Sequence, residues 1–530
     1  MQTGSDEEDD DDASRAVVIA PKNRSEKSRA LSRTAHQKRR DHHALVAWRS
    51  RNKDESDEEV YEQIVRLQAP QTFLDDGRDD PFSVLPTSLP GDMVADILRK
   101  HDLFMPALVC AMPNDLAGPK FTDEMMRMAF HSEAMLHGIF FATITFDRII
   151  RAEQEQSDLE LRLQTLAVQH LRQQLSDPRT AVDAANIWPI VIFSYLDSKL
   201  ALRTGRLPNR VSAFQELQSL HILGRMSTSK MHRQGLANLV QQLGGLQAVT
   251  PVGMASMITF GHLMDQTKAF SRPFMPYLPF SRSNEFLVGE SLSVTAAERA
   301  TSQASLPHLG NSFLALWKGT EDPMVMALLQ VIRNICDYTL LVENHMQGFP
   351  NQRPPITIVD ARNYTQHCLL SLPSLQDSES YGMSEYESEY DEHYEPCRYA
   401  CMIYNLLVVW PTPPVVGLYE RAAIRLRRSL LGLRPSPTSS KELLVWMIAM
   451  GAIVSIGTPH RTWFVGVLAE LVNDLKLNTS QDFIDLLSGY LWHPKTNTVD
   501  GISLWTELKK VKLGGTSAPK ESAPEDLETT

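Results

Sequence analysis

At 530 residues the chain is long enough for about two or three average domains, and 43% hydrophobic with 22% charged residues is an ordinary globular balance. A net charge of −12 and an isoelectric point near 5.8 exclude a protein that coats nucleic acid with its whole surface, so any such contact has to be local. Five cysteines, an odd number with no CxxC pair, exclude a disulfide framework and fit a reducing compartment.

Residues 1–65 read as a disordered acidic–basic–acidic region, because charge blocks without apolar periodicity bury too little to offset chain entropy. The unbroken acidic run Asp6 to Asp12 stands where a secretory leader would be apolar, so no leader is expected. The basic block that follows holds Lys22, Arg24, Lys27, Arg29, Arg33, Lys38, Arg39, Arg40, Arg49, Arg51 and Lys53. Three roles fit it: nuclear import around Lys38-Arg39-Arg40, contacts to DNA phosphates, or a solvated tail. Ala44, Leu45, Val46 and Trp48 suggest a nascent helix too short to be stable alone.

From about Pro81 the pattern turns helical, and the region 66–513 is expected to be all-α, a large multi-helix domain. Helices are expected over Asp92–Cys110, Thr122–Arg151, Asp158–Leu175, Ala181–Leu202 and Val211–Leu223, then again over about 322–347 and onward to about 511. Ser157-x-x-Glu160, Thr295-x-x-Glu298 and Ser439-x-x-Glu442 have the spacing of capping boxes. Asp177-Pro178 and Pro273, Pro276 and Pro279 break the helical pattern, and a loop-rich stretch is expected near 270–308. No alternating strands and no repeat of fixed period occur. The run Leu443–Ile456 is apolar throughout but shorter than the roughly 20 residues a membrane span needs, so a buried core helix is expected.

Between 230 and 243 the spacing is sharpest. Leu236, Leu239, Val240 and Leu243 share one helical stripe, and Gly244-Gly245 offers the left-handed residue that ends a helix, with Leu246 folding back. Leu236, Leu239 and Leu243 are therefore expected to be buried. An acidic-tyrosine insertion at about 372–396 carries Tyr381, Tyr386, Tyr390 and Tyr394 among eight carboxylates. It reads either as a solvated inter-helix loop or as a disordered activation segment. Residues 514–530 are linker-like and expected to be disordered.

Patterns that suggest chemistry are thin. Asp75, Asp76 and Asp79 spell D-D-x-x-D, the magnesium-diphosphate motif of all-α terpene synthases, but Gly77 and Pro81 place it on a loop and no second metal motif follows. His393, Cys397 and Cys401 are spaced four apart, either as core residues or as three ligands without a fourth. His131, Glu133 and His137 do not make H-E-x-x-H, and G-x-S-x-G, a Walker loop and G-x-G-x-x-G are absent. No catalytic residue, metal site or cofactor is expected.

The string His232, Gly235, Leu236, Leu239, Val240, Gly244, Gly245, Leu246 resembles the "H-x-x-G-L-x-x-L-V-x-x-x-G-G-L" signature of fungal-specific transcription factors. Asp80-Pro81-Phe82 with Leu85-Pro86 resembles their "D-P-F-x-x-L-P" entry. Leu444 to Met447, Gly451, Arg461, Trp463, Phe464, Leu491 and Trp492 resemble their closing run. The resemblance spans about residues 80–512 and implies a helical regulatory domain in a nuclear, non-enzymatic regulator of transcription. It implies control of a metabolic or secondary-metabolite gene set and partners among other transcription proteins, with a homo- or a hetero-oligomer both open, and the short apolar run gives no membrane partner. Members usually begin with a binuclear zinc cluster of six cysteines, and this chain has no cysteine before Cys110. DNA is then contacted weakly through the basic block or through a partner. A scaffold or corepressor that never touches DNA is the alternative, and an all-α enzyme a more distant one.

Overall fold

Six side chains set where the helices begin. Ser132, Ser157, Ser229, Asp322, Ser440 and Thr479 each precede a helix and accept a hydrogen bond from an amide of its first turn. Each satisfies a donor that has no partner inside the helix. The computed structural model describes residues 85–109, 118–151, 153, 155–196, 217–225, 229–250, 253–280, 294–295, 306–347, 355–374, 391–413, 417–433 and 440–514. All of them belong to one unit, Gly77–Thr530.

In chain order the helices are α1 (Gly91–Val109), α2 (Gly118–Ala129), α3 (Glu133–Ile150), α4 (Asp158–Ser176), α5 (Ile187–Tyr195), α6 (Lys230–Gln242), α7 (Met254–Ala269) and α8 (Asn311–Leu316). They continue as α9 (Pro323–Met346), α10 (Pro355–Ser371), α11 (Tyr394–Tyr404), α12 (Leu418–Leu431), α13 (Lys441–Val454), α14 (Arg461–Asp474), α15 (Ser480–Ser488) and α16 (Pro494–Gly514). Among the described residues there is no strand, and the fold is all-α.

Several expected elements differ in detail. The helix read over Thr122–Arg151 is two, because Ser132 caps α3 by accepting from Met135 N at 3.2 Å and breaks the run after Ala129. Ser157 caps α4 as expected, but Glu160 does not reach back to it. Its carboxylate is fully buried and takes Arg148 Nε at 2.8 Å and Thr145 Oγ1 at 2.9 Å from α3. The cap of α13 is Ser440 rather than Ser439. A complete capping box does exist at Thr479-x-x-Asp482, where the shorter acid replaces the usual Glu. Of the helix read over 211–223 the described part, 217–223, is two short turns with Gln218 and Ser219 in left-handed backbone at φ 55° and 51°.

Two nearly all-buried helices anchor the packing. On α3 every residue from Ala134 to Phe146 is buried, and it lies against α1, α4 and α5. On α13 the buried residues run from Leu443 to Val454 apart from Leu444, as the apolar run predicted, and it lies against α11, α12, α14 and α16. One described helix, α9, is long and apolar enough to cross a bilayer by composition. It packs on α10 and α11, with 67% of its most apolar window buried. Polar bonds tie the elements between. Gln366 Nε2 donates to Thr267 Oγ1 at 3.1 Å, and Asn405 Nδ2, at the start of a π-helical turn (Asn405–Val409), donates to Gln366 Oε1 at 3.0 Å.

Candidate functional site

Helix α6, which carries the signature string, is held at both ends. Ser229 N donates to Ser194 O at 3.1 Å, and His232 Nδ1–H donates to Phe193 O at 2.9 Å, so α6 is bonded to the last turn of α5. At the other end Gly245 N donates to Val240 O and Gly244 N to Gln241 O, the paired bonds of a Schellman stop. Both glycines have positive φ, 101° and 98°, where a Cβ is strained. Leu236, Leu239 and Val240 are buried at 3–6% exposure. Leu243 departs from expectation: it is the C-cap and only half-buried, because the chain leaves the helix there, and Leu246 is half-buried in the next turn. Gly235 is exposed with open space where a Cβ would stand, and nothing in the structure requires a glycine.

The closing signature is also a packing device. Gly451 on α13 leaves room for the Phe464 ring of α14, which occupies the place of a Cβ. Trp446 Nε1 donates to Leu491 O at 3.0 Å, joining α13 to the segment before α16. Arg461 donates to Ala452 O and pairs with Glu507 at 2.5 Å. Leu85 and Pro86 of the entry signature are half-buried, and Asp80, Pro81 and Phe82 lie outside the described residues.

Beside α6 an apolar cavity with about 950 Å³ of space, part of it open to solvent, lies between α1, α3, α5, α7 and the 217–223 turns. Its walls include Phe146, Trp188, Phe260 and Met264, and Ile150, 52% exposed, marks where it meets the surface. Two close approaches shape it. The Tyr195 phenol oxygen fills the space of a Cβ on Gly261, so α5 and α7 meet only because residue 261 is glycine. Burial pushes the Tyr195 hydroxyl far above its usual range; Asp265 adds to this and Arg233, ion-paired with Asp265 at 3.1 Å, opposes it. Left-handed Ser219 is part of another wall, and its neighbours Leu217 and Gln218 are held from α10. Arg362 Nη2 and Asn363 Nδ2 donate to Gln218 Oε1 at 2.6 and 2.9 Å, and Arg362 Nη1 to Leu217 O at 3.1 Å. Such backbone persists only when its surroundings over-determine it.

The described lining holds no carboxylate and no Lys or Arg. Its polar members include His101, His221, Tyr195, Thr143 and Ser219. Thr143 donates to Ile139 O of its own helix at 2.9 Å. His101, 4% exposed, has no hydrogen-bond partner on either ring nitrogen among the described residues. The Asp102 carboxylate stands 3.6 Å from His101 Nδ1, beyond good hydrogen-bond distance.

The other sequence-derived candidates fall as follows. The basic block from Lys22 to Lys53 and the D-D-x-x-D aspartates lie outside the described residues. So does 375–390 of the acidic insertion, whereas residues 391–396 are built into the fold. Tyr394 is fully buried and donates to Pro373 O at 2.9 Å, and Glu395 pairs with buried Arg398 at 2.6 Å. The stretch is therefore shorter than 372–396 and ends before Asp391, which accepts from Trp317 Nε1 at 2.7 Å. Cys397 and Cys401 are fully buried side by side, and burial raises the Cys397 thiol well above its ordinary range. Among the described residues no three His, Cys, Asp or Glu side chains converge as metal ligands. Sequence reasoning missed His101, Tyr195 and Gly261. A lone histidine on an otherwise amphipathic helix and a mid-helix glycine were the only signals available. No family model, curated protein or solved structure matches this chain.

Proposed function

We propose that this chain is a nuclear, non-enzymatic regulator of transcription whose helical region is its regulatory domain. The observation that carries the reading is the fit between the signature residues and their packing. Several signature positions carry a packing role: Gly244 and Gly245 stop α6, Leu236, Leu239 and Val240 face inward, and Gly451 receives Phe464, whereas Gly235 is exposed and Leu246 is half-buried. In this reading the basic block between Lys22 and Lys53 carries the chain into the nucleus and contacts DNA phosphates weakly, with partner proteins supplying sequence choice.

The test uses the full chain with a fluorescent tag. Nuclear fluorescence is expected, and its loss when Lys38, Arg39 and Arg40 are all replaced by Ala. Chromatin mapping of the same tagged protein is expected to show discrete enriched loci. A cytoplasmic protein, or one with no enriched locus, overturns the reading. Gel retardation by purified full-length protein is expected to shift unrelated duplexes equally at low salt. Absence of any shift, with enriched loci present, assigns DNA contact wholly to partners, as for a scaffold or corepressor.

A further inference from the structure

A protein core rarely leaves a buried imidazole without partners, because an unpaired polar group out of water is costly. His101 has no hydrogen bond on either ring nitrogen, with only the Asp102 carboxylate near Nδ1, and it lines a cavity where a ligand could complete it. The cavity it lines is otherwise apolar and reaches solvent at Ile150. Its neighbours do not serve His101 instead. The Thr143 hydroxyl donates to Ile139 O and makes no bond to His101, and the Asp102 carboxylate is at 3.6 Å. Next to Ser219 in its wall, Gln218 and Leu217 are bonded from outside the cavity by Arg362 and Asn363.

We propose that this cavity binds a small, uncharged, largely apolar molecule carrying one hydroxyl or carbonyl oxygen, which hydrogen-bonds to the His101 ring. The apolar remainder lies against Phe146, Trp188, Phe260 and Met264. The molecule is uncharged because no Lys or Arg in the described lining would compensate a buried anion, and no carboxylate a buried cation. A hydroxyl suits an imidazole best, since it donates to one nitrogen or accepts from the other. The site stands independently of the regulatory reading above, and its test does not involve DNA or transcription.

Calorimetric titration of the full chain with decan-1-ol and with decanoate at pH 7.5 tests it. Decan-1-ol is expected to bind saturably at one site, and decanoate more weakly. His101→Phe keeps the ring volume and removes the hydrogen bond, so decan-1-ol should bind about fivefold more weakly to it. Ala142→Phe fills the cavity and should abolish binding. Because an overpacked variant can fail to fold, the unaltered protein is also photolabelled with a diazirine-bearing decanol. Adducts are expected at His101 or within 139–150, 187–196, 219–223 or 257–264. Adducts elsewhere only, no saturable binding of decan-1-ol, unchanged affinity in His101→Phe, or tighter binding of decanoate would each overturn the proposal.

Discussion

The ring of Phe464 lies in the space that a Cβ on Gly451 would take. A glycine in a helix interior costs roughly 0.5–1 kcal/mol relative to alanine, so its presence in the middle of α13 has to be offset by something local. The offset is the close approach of α14, whose Phe464 is fully buried.

Gly451→Ala should therefore destabilise the protein, against helix propensity, by about 1–3 kcal/mol through overpacking. Combining it with Phe464→Leu should recover part of the loss, since the smaller side chain vacates the contested volume. Denaturant unfolding of the two single variants and the double variant measures this. A Gly451→Ala variant as stable as the parent or more so would show that the two helices do not meet there.

On α6 the two leucines nearest the stop signal should behave differently. Leu239 is 4% exposed, and Leu239→Ala should cost about 2–5 kcal/mol from lost transfer energy and a residual cavity. Leu243 caps the helix half in solvent, so Leu243→Ala should cost less than half as much. Equal losses in chemical denaturation would mean that the apolar stripe extends through the cap.

The helical class, the α6 stop and the burial of α13 were legible because each rests on local pattern: period, paired glycines, an unbroken apolar run. Leu243 was misjudged because periodicity assigns a face but not the residue at which the chain leaves it. The break at Ser132 was missed because a serine inside an apolar run carries no sign that it will cap. Gln218 and Ser219 were illegible for a different reason. The bonds around their left-handed backbone come from Arg362 and Asn363 to Leu217 O and the Gln218 side chain, more than 140 positions away. The same holds for His101, whose significance lies in what fails to approach it.

His262 provides a pH-dependent prediction. Its Nε2 accepts from Phe274 N at 3.2 Å, which requires a neutral ring. Burial first, then His367 and Arg233, pull its pKa from 6.5 to about 4. Folding thus lowers its proton affinity, and the unfolded chain binds a proton that the fold refuses. The stability associated with this histidine is complete above pH 6.5 and is lost as pH falls through the window toward 4, by about 3 kcal/mol at most. His262→Gln should remove this pH dependence, so the stability difference between parent and variant should change as pH falls through that window, with the parent losing its advantage. If the stability difference between the two stays constant from pH 7 to 4, the ring is protonated in the fold.

Glu160 permits the sharpest separation of two readings of one residue. As the third residue after Ser157 it has the position of a capping-box acid, where Gln serves as well as Glu, and Glu160→Gln would then be nearly neutral. In the fold its carboxylate has 0% exposure and faces the guanidinium of Arg148, itself 3% exposed, at 2.8 Å. Gln156 Nε2 donates to its Oε1 at 3.3 Å beside the Thr145 hydroxyl, so the acid is satisfied from several sides. Removing its charge leaves Arg148 buried without compensation, a change that typically costs about 3–5 kcal/mol. Glu160→Gln should thus destabilise strongly, and Arg148→Met comparably, for the mirror-image reason. The double variant Arg148→Met with Glu160→Leu removes both charges from the interior and should be more stable than either single one, since a buried ion pair is often replaceable by apolar residues at little net cost. A double-mutant cycle of Arg148→Met, Glu160→Leu and their combination, on thermal or denaturant unfolding, reads the coupling directly. If Glu160→Gln unfolds like the parent, Glu160 is a surface capping residue and the α3–α4 ion pair is not part of the fold.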